Sequence, residues 1–367
     1  MPLLLASSKT RWGAFVVAIS YYLAASRVIP QSAAVFFGES NSLVLGVGLW
    51  VVAATILAGV WALLWTARNG IPFVGLLLLT ELLLIFPPVG IIGWTNPLMG
   101  AAALFPGLKW AAIVMGFITI LASMQLVRAQ HKNSIVLLSI CAIVSVWAHW
   151  QYKEPQEPPG WVAYTTQMGK FPKTLESVSE RIVLIGDAVR KGVNTNNGLR
   201  VMIFPEQILG RWDTRIHPIM LRTEIGNAVD SHGITILLGA ELPIPDTRKA
   251  ENALVVLSGH KPWHIAARQS VPVSMWQPWS SEGIVSNWWK TGVHEIDGVK
   301  ASFSICYEDF MIWPILADFL LDPPQVIVSA ANGWWVRGTD EQQLQAQHIK
   351  TWGKIFGVPV LRALNAS

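Results

Sequence analysis

The chain has 367 residues, of which 52% are apolar, 19 are Trp and only 14% are charged, a balance that excludes an ordinary soluble protein and points to a membrane component. The formal net charge of +4 is small and its positive residues are scattered, which excludes a nucleic-acid binder held by a basic stripe. Two cysteines, Cys141 and Cys306, make no disulfide framework, and Cys141 sits in an apolar run where a bridge to Cys306 is not expected.

Residues 1–150 read as a transmembrane domain of about five helices. The apolar runs Trp12–Ile29, Ser42–Trp65, Ile71–Trp94 and Lys109–Val127 are long enough to cross a bilayer, which takes roughly 20 helical residues. A fifth run, Ser134–Trp150, is slightly short, but Trp147 and Trp150 suit an interfacial end. Lys9 and Arg11 precede the first run, Arg68 follows the second, and Arg128 and Lys132 follow the fourth, whereas the alternate side holds Arg27 and Lys109. This asymmetry predicts a cytoplasmic N-terminus, and five crossings then place the rest of the chain on the periplasmic side of a bacterial inner membrane. Pro87-Pro88 interrupts the third run and residues 97–106 suit a re-entrant segment; an even number of crossings would reverse the side. Glu81 lies inside the third run, where an ionisable group is costly; it is either functional or a neutral acid bonded to a neighbouring helix.

Residues 151–160, with Glu154-Pro155-Gln156-Glu157-Pro158-Pro159-Gly160, admit neither helix nor strand and read as a linker. Residues 161–367 then alternate buried runs with amphipathic stretches. Strands are predicted over Leu199–Phe204, Ile234–Gly239, Ala253–Leu257, Lys300–Ile305 and Gln325–Ser329, and helices over Val178–Lys191, Ile216–Ser231, Trp313–Leu321 and Asp340–Phe356. The pattern predicts an α/β layered domain.

Chemistry is expected at two strand ends. Glu206 follows Phe204-Pro205 directly after one strand, at the carboxyl end where α/β folds place ligands. Cys306 ends another, ahead of Tyr307-Glu308. A lone cysteine is often a small core residue, but a thiol facing a desolvated carboxylate has the base it needs to ionise near neutral pH. The histidines, His217, His232, His260, His264, His294 and His348, show no metal-ligand spacing, and no glycine run suits a phosphate or dinucleotide, so no metal and no cofactor is expected.

In order and spacing, Ile203-Phe204-Pro205-Glu206, Ile305-Cys306-Tyr307-Glu308 and Ala331-Asn332-Gly333-Trp334-Trp335 resemble the motifs of the nitrilase superfamily. With a multi-span part in front, the resemblance is to its apolipoprotein N-acyltransferase branch, and Val271-Pro272-Val273-Ser274-Met275-Trp276 resembles the conjugal transfer proteins of Ti-type plasmids. The resemblance implies an αββα nitrilase-like sandwich behind an all-α membrane domain. It implies a Glu-Lys-Cys triad with Glu206 as base and Cys306 as nucleophile, and membrane lipids as partners. A phospholipid would give its acyl chain to the thiol, and a lipoprotein or other amine would accept it from the thioester. Glu308 would shape the site, and Trp334 and Trp335 would line the acyl entrance or simply pack. The conjugation machinery is an implied partner, engaged at the envelope without direct contact with nucleic acid.

The third triad member departs from that pattern. Where the family has Tyr-x-Lys-x-His-Leu-Val-Pro, this chain reads Ile265-Ala266-Ala267-Arg268-Gln269-Ser270-Val271-Pro272, so Ala267 stands in the lysine place. Arg268, one position on, is the candidate substitute, which requires a local bulge because neighbouring strand residues face opposite ways. Met275 stands where the acyltransferases carry an acid. Two functions stay open: a membrane-bound, Cys-dependent N-acyltransferase or amidase of conjugal transfer, and a non-catalytic envelope component with a degenerate triad.

Overall fold

A computed structural model describes residues 1–38, 42–92, 95–128, 131–259, 261–336 and 338–366. Trp94, where the third apolar run was expected to end, and His260 lie outside them. The chain divides into two compact units. One comprises Met1–Pro155 with Phe310–Trp313 and Gly338–Val358; the other comprises Gln156–Asp309, Pro314–Arg337 and Pro359–Ser367.

The first unit is helical: α1 (Pro2–Ser7), α2 (Arg11–Ala25), α3 (Ile29–Phe37), α4 (Ser42–Leu63), α5 (Ile71–Ile85), α6 (Pro97–Ala102), α7 (Trp110–Val127) and α8 (His131–Gln151). Among the described residues three helices are long and apolar enough to cross a membrane, Ser42–Leu63, Trp110–Val127 and Lys132–Gln151, and the bent pair α2–α3, with 49° between its halves, would make a fourth. About five were expected from the sequence. The third run yields only the 15 residues of α5, about 22 Å of helix against a hydrocarbon core of about 30 Å. It stops at Phe86, in extended conformation, because a residue before proline is pushed out of the helical region.

The second unit carries β1 (Trp161–Ala163), β2 (Thr165–Thr166), α9 (Leu175–Thr195), β3 (Val201–Ile203), α10 (His217–His232), β4 (Thr235–Pro243), β5 (Arg248–Leu257), β6 (Trp263–Ala266), β7 (Glu282–Ile284), β8 (Val293–Ile296), β9 (Val299–Ile305), α11 (Trp313–Leu321), β10 (Val326–Asn332) and β11 (Val360–Asn365), the last preceded by α12 (Glu341–Phe356). Two sheets form. One runs β1-β3-β4-β5-β6 with β7 beside β5; the other runs β2-β11-β10-β9-β8.

Alternation along the strands decides which residues meet between the sheets. Val201 and Ile203 of β3, Leu254 and Val256 of β5, Phe303 and Ile305 of β9, and Val328 and Ala330 of β10 share one buried cluster, which Cys306 joins. The opposite face of the first sheet, with Met202, Ile236 and Leu238, packs on α9 and α10. In α9 the spacing Ile182, Ile185, Val189 forms one apolar stripe, and each such side chain contributes about 1.5–3 kcal/mol on burial. A capping box of Thr174 and Ser177 starts that helix. Several outward residues of the second sheet are polar instead: Ser302, Ser304 and Ser329 are buried and bonded to Asp318 or Asp309. The unit is thus an α/β sandwich of two facing sheets with helices outside.

One expected member of the globular half belongs elsewhere. Helix α12, although it lies between β10 and β11 in the chain, is part of the helical unit. Its last carbonyls, which a helix leaves without internal partners, accept from Gly107 N–H at 2.7 Å and Lys109 N–H at 2.8 Å. At its other end Ser32 Oγ donates to Glu341 at 2.8 Å, and Arg27 pairs with Asp340.

Candidate active site

Glu206 is placed by a turn that only glycine tolerates beneath it. After β3 the chain passes through Phe204-Pro205 and turns at Gln207, whose φ is +47°. Gly239 of β4 lies under this turn: a Cβ there would stand 2.3 Å from the Pro205 carbonyl oxygen and 2.4 Å from Gln207 N. The carboxyl of Glu206 is buried, accepts from Asn252 Nδ2 at 2.6 Å and shares a hydrogen bond with the Cys306 thiol. Burial pushes its pKa up to about 7, against these hydrogen bonds, which favour the charged form. A carboxyl so placed can exchange a proton near neutral pH.

Cys306 stands at the point where β9 gives way to a 3-10 turn, residues 306–310, with φ of +54°. A non-glycine residue held in the left-handed region is sparse and strained, and it aims the side chain off the strand end. Burial, then the Glu206 charge, holds the thiol well above its ordinary pKa, while the Asn332 main-chain N–H donates to it. The resting pair is consequently a neutral thiol beside a carboxyl group. Asn332, at the end of β10, also donates from Nδ2 to the Glu206 carbonyl at 3.0 Å, and its Oδ1 accepts from Asn365 Nδ2 at 2.9 Å. One asparagine thus bonds to both Glu206 and Cys306.

Glu308 holds the elbow. Its carboxylate accepts from Ile305 N at 2.9 Å, Arg268 N at 2.5 Å and Gln269 N at 3.1 Å, tying the end of β9 to the segment after β6. Trp334 and Trp335 follow Asn332. Trp335 Nε1 donates to the Asn332 carbonyl at 2.9 Å, and Trp334 packs edge-on to Phe171 with the Lys170 ammonium 4.8 Å over its ring.

Arg268 is not brought to Glu206 and Cys306. Its guanidinium is buried and donates to Asp318 at 2.7 Å, the Pro314 carbonyl at 3.0 Å and the Phe303 carbonyl at 3.1 Å, with the Glu308 carboxylate 3.5 Å away. A Cβ at Gly292 would lie 2.5 Å from it, so that glycine makes its room. No bulge forms: β5 and β6 pair Ala253 with Ala266, and one step on Ala267 N–H bonds the Asn252 carbonyl at 2.7 Å. Ala267 therefore shares the inner face with Asn252, while Arg268, past the end of β6, turns to Phe303, Pro314 and Asp318.

Sequence reasoning missed Asn252 and Asn332 as parts of the site. Their signal was a polar residue next to a run of buried apolar ones, Ala253–Val256 for Asn252 and Ala330-Ala331 for Asn332, which burial obliges to find a partner. It also missed Asp309, buried with its carboxyl accepting from Ser304 and Ser329, at 2.6 and 2.7 Å. Among the described residues no group of three or more His, Cys, Asp or Glu side chains could hold a metal ion.

No protein-family model matches the chain. It is 30% identical to a probable conjugal transfer protein TraB of Sinorhizobium fredii over 99% of this chain and 90% of that one. It is also 30% identical to the conjugal transfer protein TraB of Agrobacterium fabrum, over 99% of this chain and 86% of the relative. A carbon-nitrogen hydrolase of known structure from Helicobacter pylori G27 overlaps 53% of this chain and 70% of its own at 7% identity, with a TM-score of 0.38.

Proposed function

The chain belongs to the TraB family of conjugal transfer proteins, and on that premise we propose that it is a membrane-bound thiol enzyme of plasmid transfer, an N-acyltransferase or amidase working through Cys306. The observation that carries this reading is the hydrogen bond between the Glu206 carboxyl and the Cys306 thiol at the ends of β3 and β9. Glu206 takes the thiol proton as Sγ adds to an acyl carbonyl; the bond to the leaving group breaks, and that group departs with the proton from Glu206. The resulting thioester is attacked by an amine, or by water in an amidase. A new C–N or C–O bond forms, the attacking proton passes to Glu206, and Cys306 leaves as the thiol. Asn332 and Glu308 hold the two reacting residues, and Trp334 and Trp335 border the approach.

In this reading the apolar helices keep the protein in the bacterial inner membrane, N-terminus cytoplasmic and sandwich periplasmic, where phospholipid supplies the acyl group and a lipoprotein or other amine accepts it. The test is transfer frequency of the plasmid carrying Cys306→Ala, with protein level checked, beside trapping of a labelled acyl chain on Cys306. A fall of about 100-fold or more together with a trapped thioester supports the reading. Undiminished transfer supports the second reading, a non-catalytic envelope component, which Ala267 favours because no lysine stands beside the pair.

A further inference from the structure

The pair Glu206–Cys306 is surrounded by acceptors. Asn252 is 1% exposed and spends its Nδ2 on Glu206, yet its Oδ1 has no hydrogen-bond partner. A buried carbonyl oxygen left unpaired is costly and marks a place where a donor belongs. The Glu206 carboxyl, next to it, has neutral amides, a thiol and Asp309 for neighbours, and none of these compensates its charge when it ionises. Burying an anion without a cation is more costly still.

The arginines nearby are placed elsewhere. Arg268 is tied to Asp318 and Glu308. Arg362 of β11 bears on Cys306, but it stands opposite Ser329, whose side chain reaches Asp309, and so lies on the outer face of the second sheet. On the inner face, the residue that continues the β5–β6 ladder opposite Asn252 is Ala267, which brings a methyl group and no charge.

We infer that the ligand of this site carries a protonated primary amine, which sits over Ala267 and donates hydrogen bonds to Asn252 Oδ1 and the Glu206 carboxylate. The inference rests on the reading of Cys306 as nucleophile and Glu206 as base, and it names the substrate class. An ammonium has three donors and no acceptor, which matches two convergent acceptors. A quaternary ammonium has charge but nothing to donate, and a neutral ligand leaves the anion uncompensated. Once bound, the ammonium stabilises the thiolate as it forms and the oxygen that becomes negative during addition. The site is then complete only with its substrate present, which accounts for a thiol held neutral in its absence.

The test uses three thiol reagents on the full-length protein in detergent: 2-aminoethyl methanethiosulfonate, its trimethylammonium analogue, and uncharged methyl methanethiosulfonate. Modification at Cys306 is followed by peptide mass, which separates it from Cys141, and each rate is divided by that of the same reagent with a free small thiol. The aminoethyl reagent is expected to exceed the methyl reagent by about tenfold or more, the scale of a charged hydrogen bond, and the trimethylammonium reagent is not. Ala267→Lys, which places its own ammonium there, should abolish the preference and speed the methyl reagent. Ala267→Met, uncharged and of similar reach, should abolish the preference without that gain, and serves if the lysine variant does not fold. Equal normalised rates in the unaltered protein, or a preference that survives Ala267→Met, would overturn the inference while leaving Cys306 as nucleophile. If none of the reagents modifies Cys306 in the folded protein and all do after denaturation, the thiol-enzyme reading falls, and this inference with it.

Discussion

Gly239 and Pro205 approach so closely that a single methyl group on the glycine would lie 2.3 Å from the proline's carbonyl oxygen. The turn that presents Glu206 is thereby seated on the backbone of β4, with no side chain between. Gly239→Ala must push Pro205–Gln207 away from the strand. Overpacking of this kind costs about 1–3 kcal/mol, and the displaced carboxyl should also lose its bond to Cys306. The expected result is a modestly lowered melting temperature with a large loss of Cys306 reactivity towards iodoacetamide, both measured on one preparation.

Asn252→Leu removes the 2.6 Å hydrogen bond to Glu206. That bond favours the charged carboxylate, so its loss raises the pKa of Glu206 beyond about 7. The rate of Cys306 alkylation against pH should then keep its shape while its rising limb moves to higher pH. A limb that stays in place would show that Glu206 is not the group governing the thiol.

Stability and reactivity should respond to pH in opposite directions. Burial raises Glu206, Asp309 and Glu341 to about 7 each, above the ordinary carboxylate range. A group that holds its proton more tightly when folded stabilises the fold at low pH, and that contribution is lost as pH rises through its folded pKa. The melting temperature should therefore fall between about pH 4 and about pH 7, a window set by these carboxyls (about 4 unfolded, about 7 folded). Over the same window the alkylation rate of Cys306 should rise as Glu206 ionises. Glu206→Gln should flatten the alkylation curve and lessen the fall in melting temperature, of which Asp309 and Glu341 keep their share.

Arg268 and Asp318 are a test of structure against chemistry. Each is about 2% exposed, and they meet at 2.7 Å. Removing one member of a buried pair leaves the other charged and unpaired, at about 3–5 kcal/mol. Asp318→Leu or Arg268→Met alone should destabilise the protein strongly in chemical denaturation, and the double variant should recover much of the loss. Were Arg268 the cation of the reaction, the double variant would regain stability without Cys306 reactivity; if Arg268 only holds the fold, both return together.

The sandwich was legible because its central strands are continuous apolar runs ending in chemistry-bearing residues, as at Ile203 before Glu206 and Ile305 before Cys306. The short strands β1, β2, β6, β7 and β8 were not, since two to four residues carry no periodicity, and β11 was hidden by Arg362 and Asn365 within it. That Ala267 stands where a lysine was expected could be counted from Pro272, but where Arg268 points could not. Its direction is set by Asp318, fifty residues away, and by the room that Gly292 leaves. Asn252 and Asn332 gain their meaning from long-range partners, 46 and 126 residues distant. Nor does sequence reveal that α12 sorts with the helices, because its amphipathic pattern says only that one side is covered.

That helix bears on how the protein can be handled. Strands β10 and β11 are hydrogen-bonded neighbours, yet the chain joining them makes an excursion through α12, whose ends are anchored on Ser32, Gly107 and Lys109. A truncation begun at residue 156 to obtain a soluble catalytic half would discard all three anchors and leave the excursion as a loose loop in the middle of a sheet. Solubilisation of the intact polypeptide is therefore the sounder route to biochemistry.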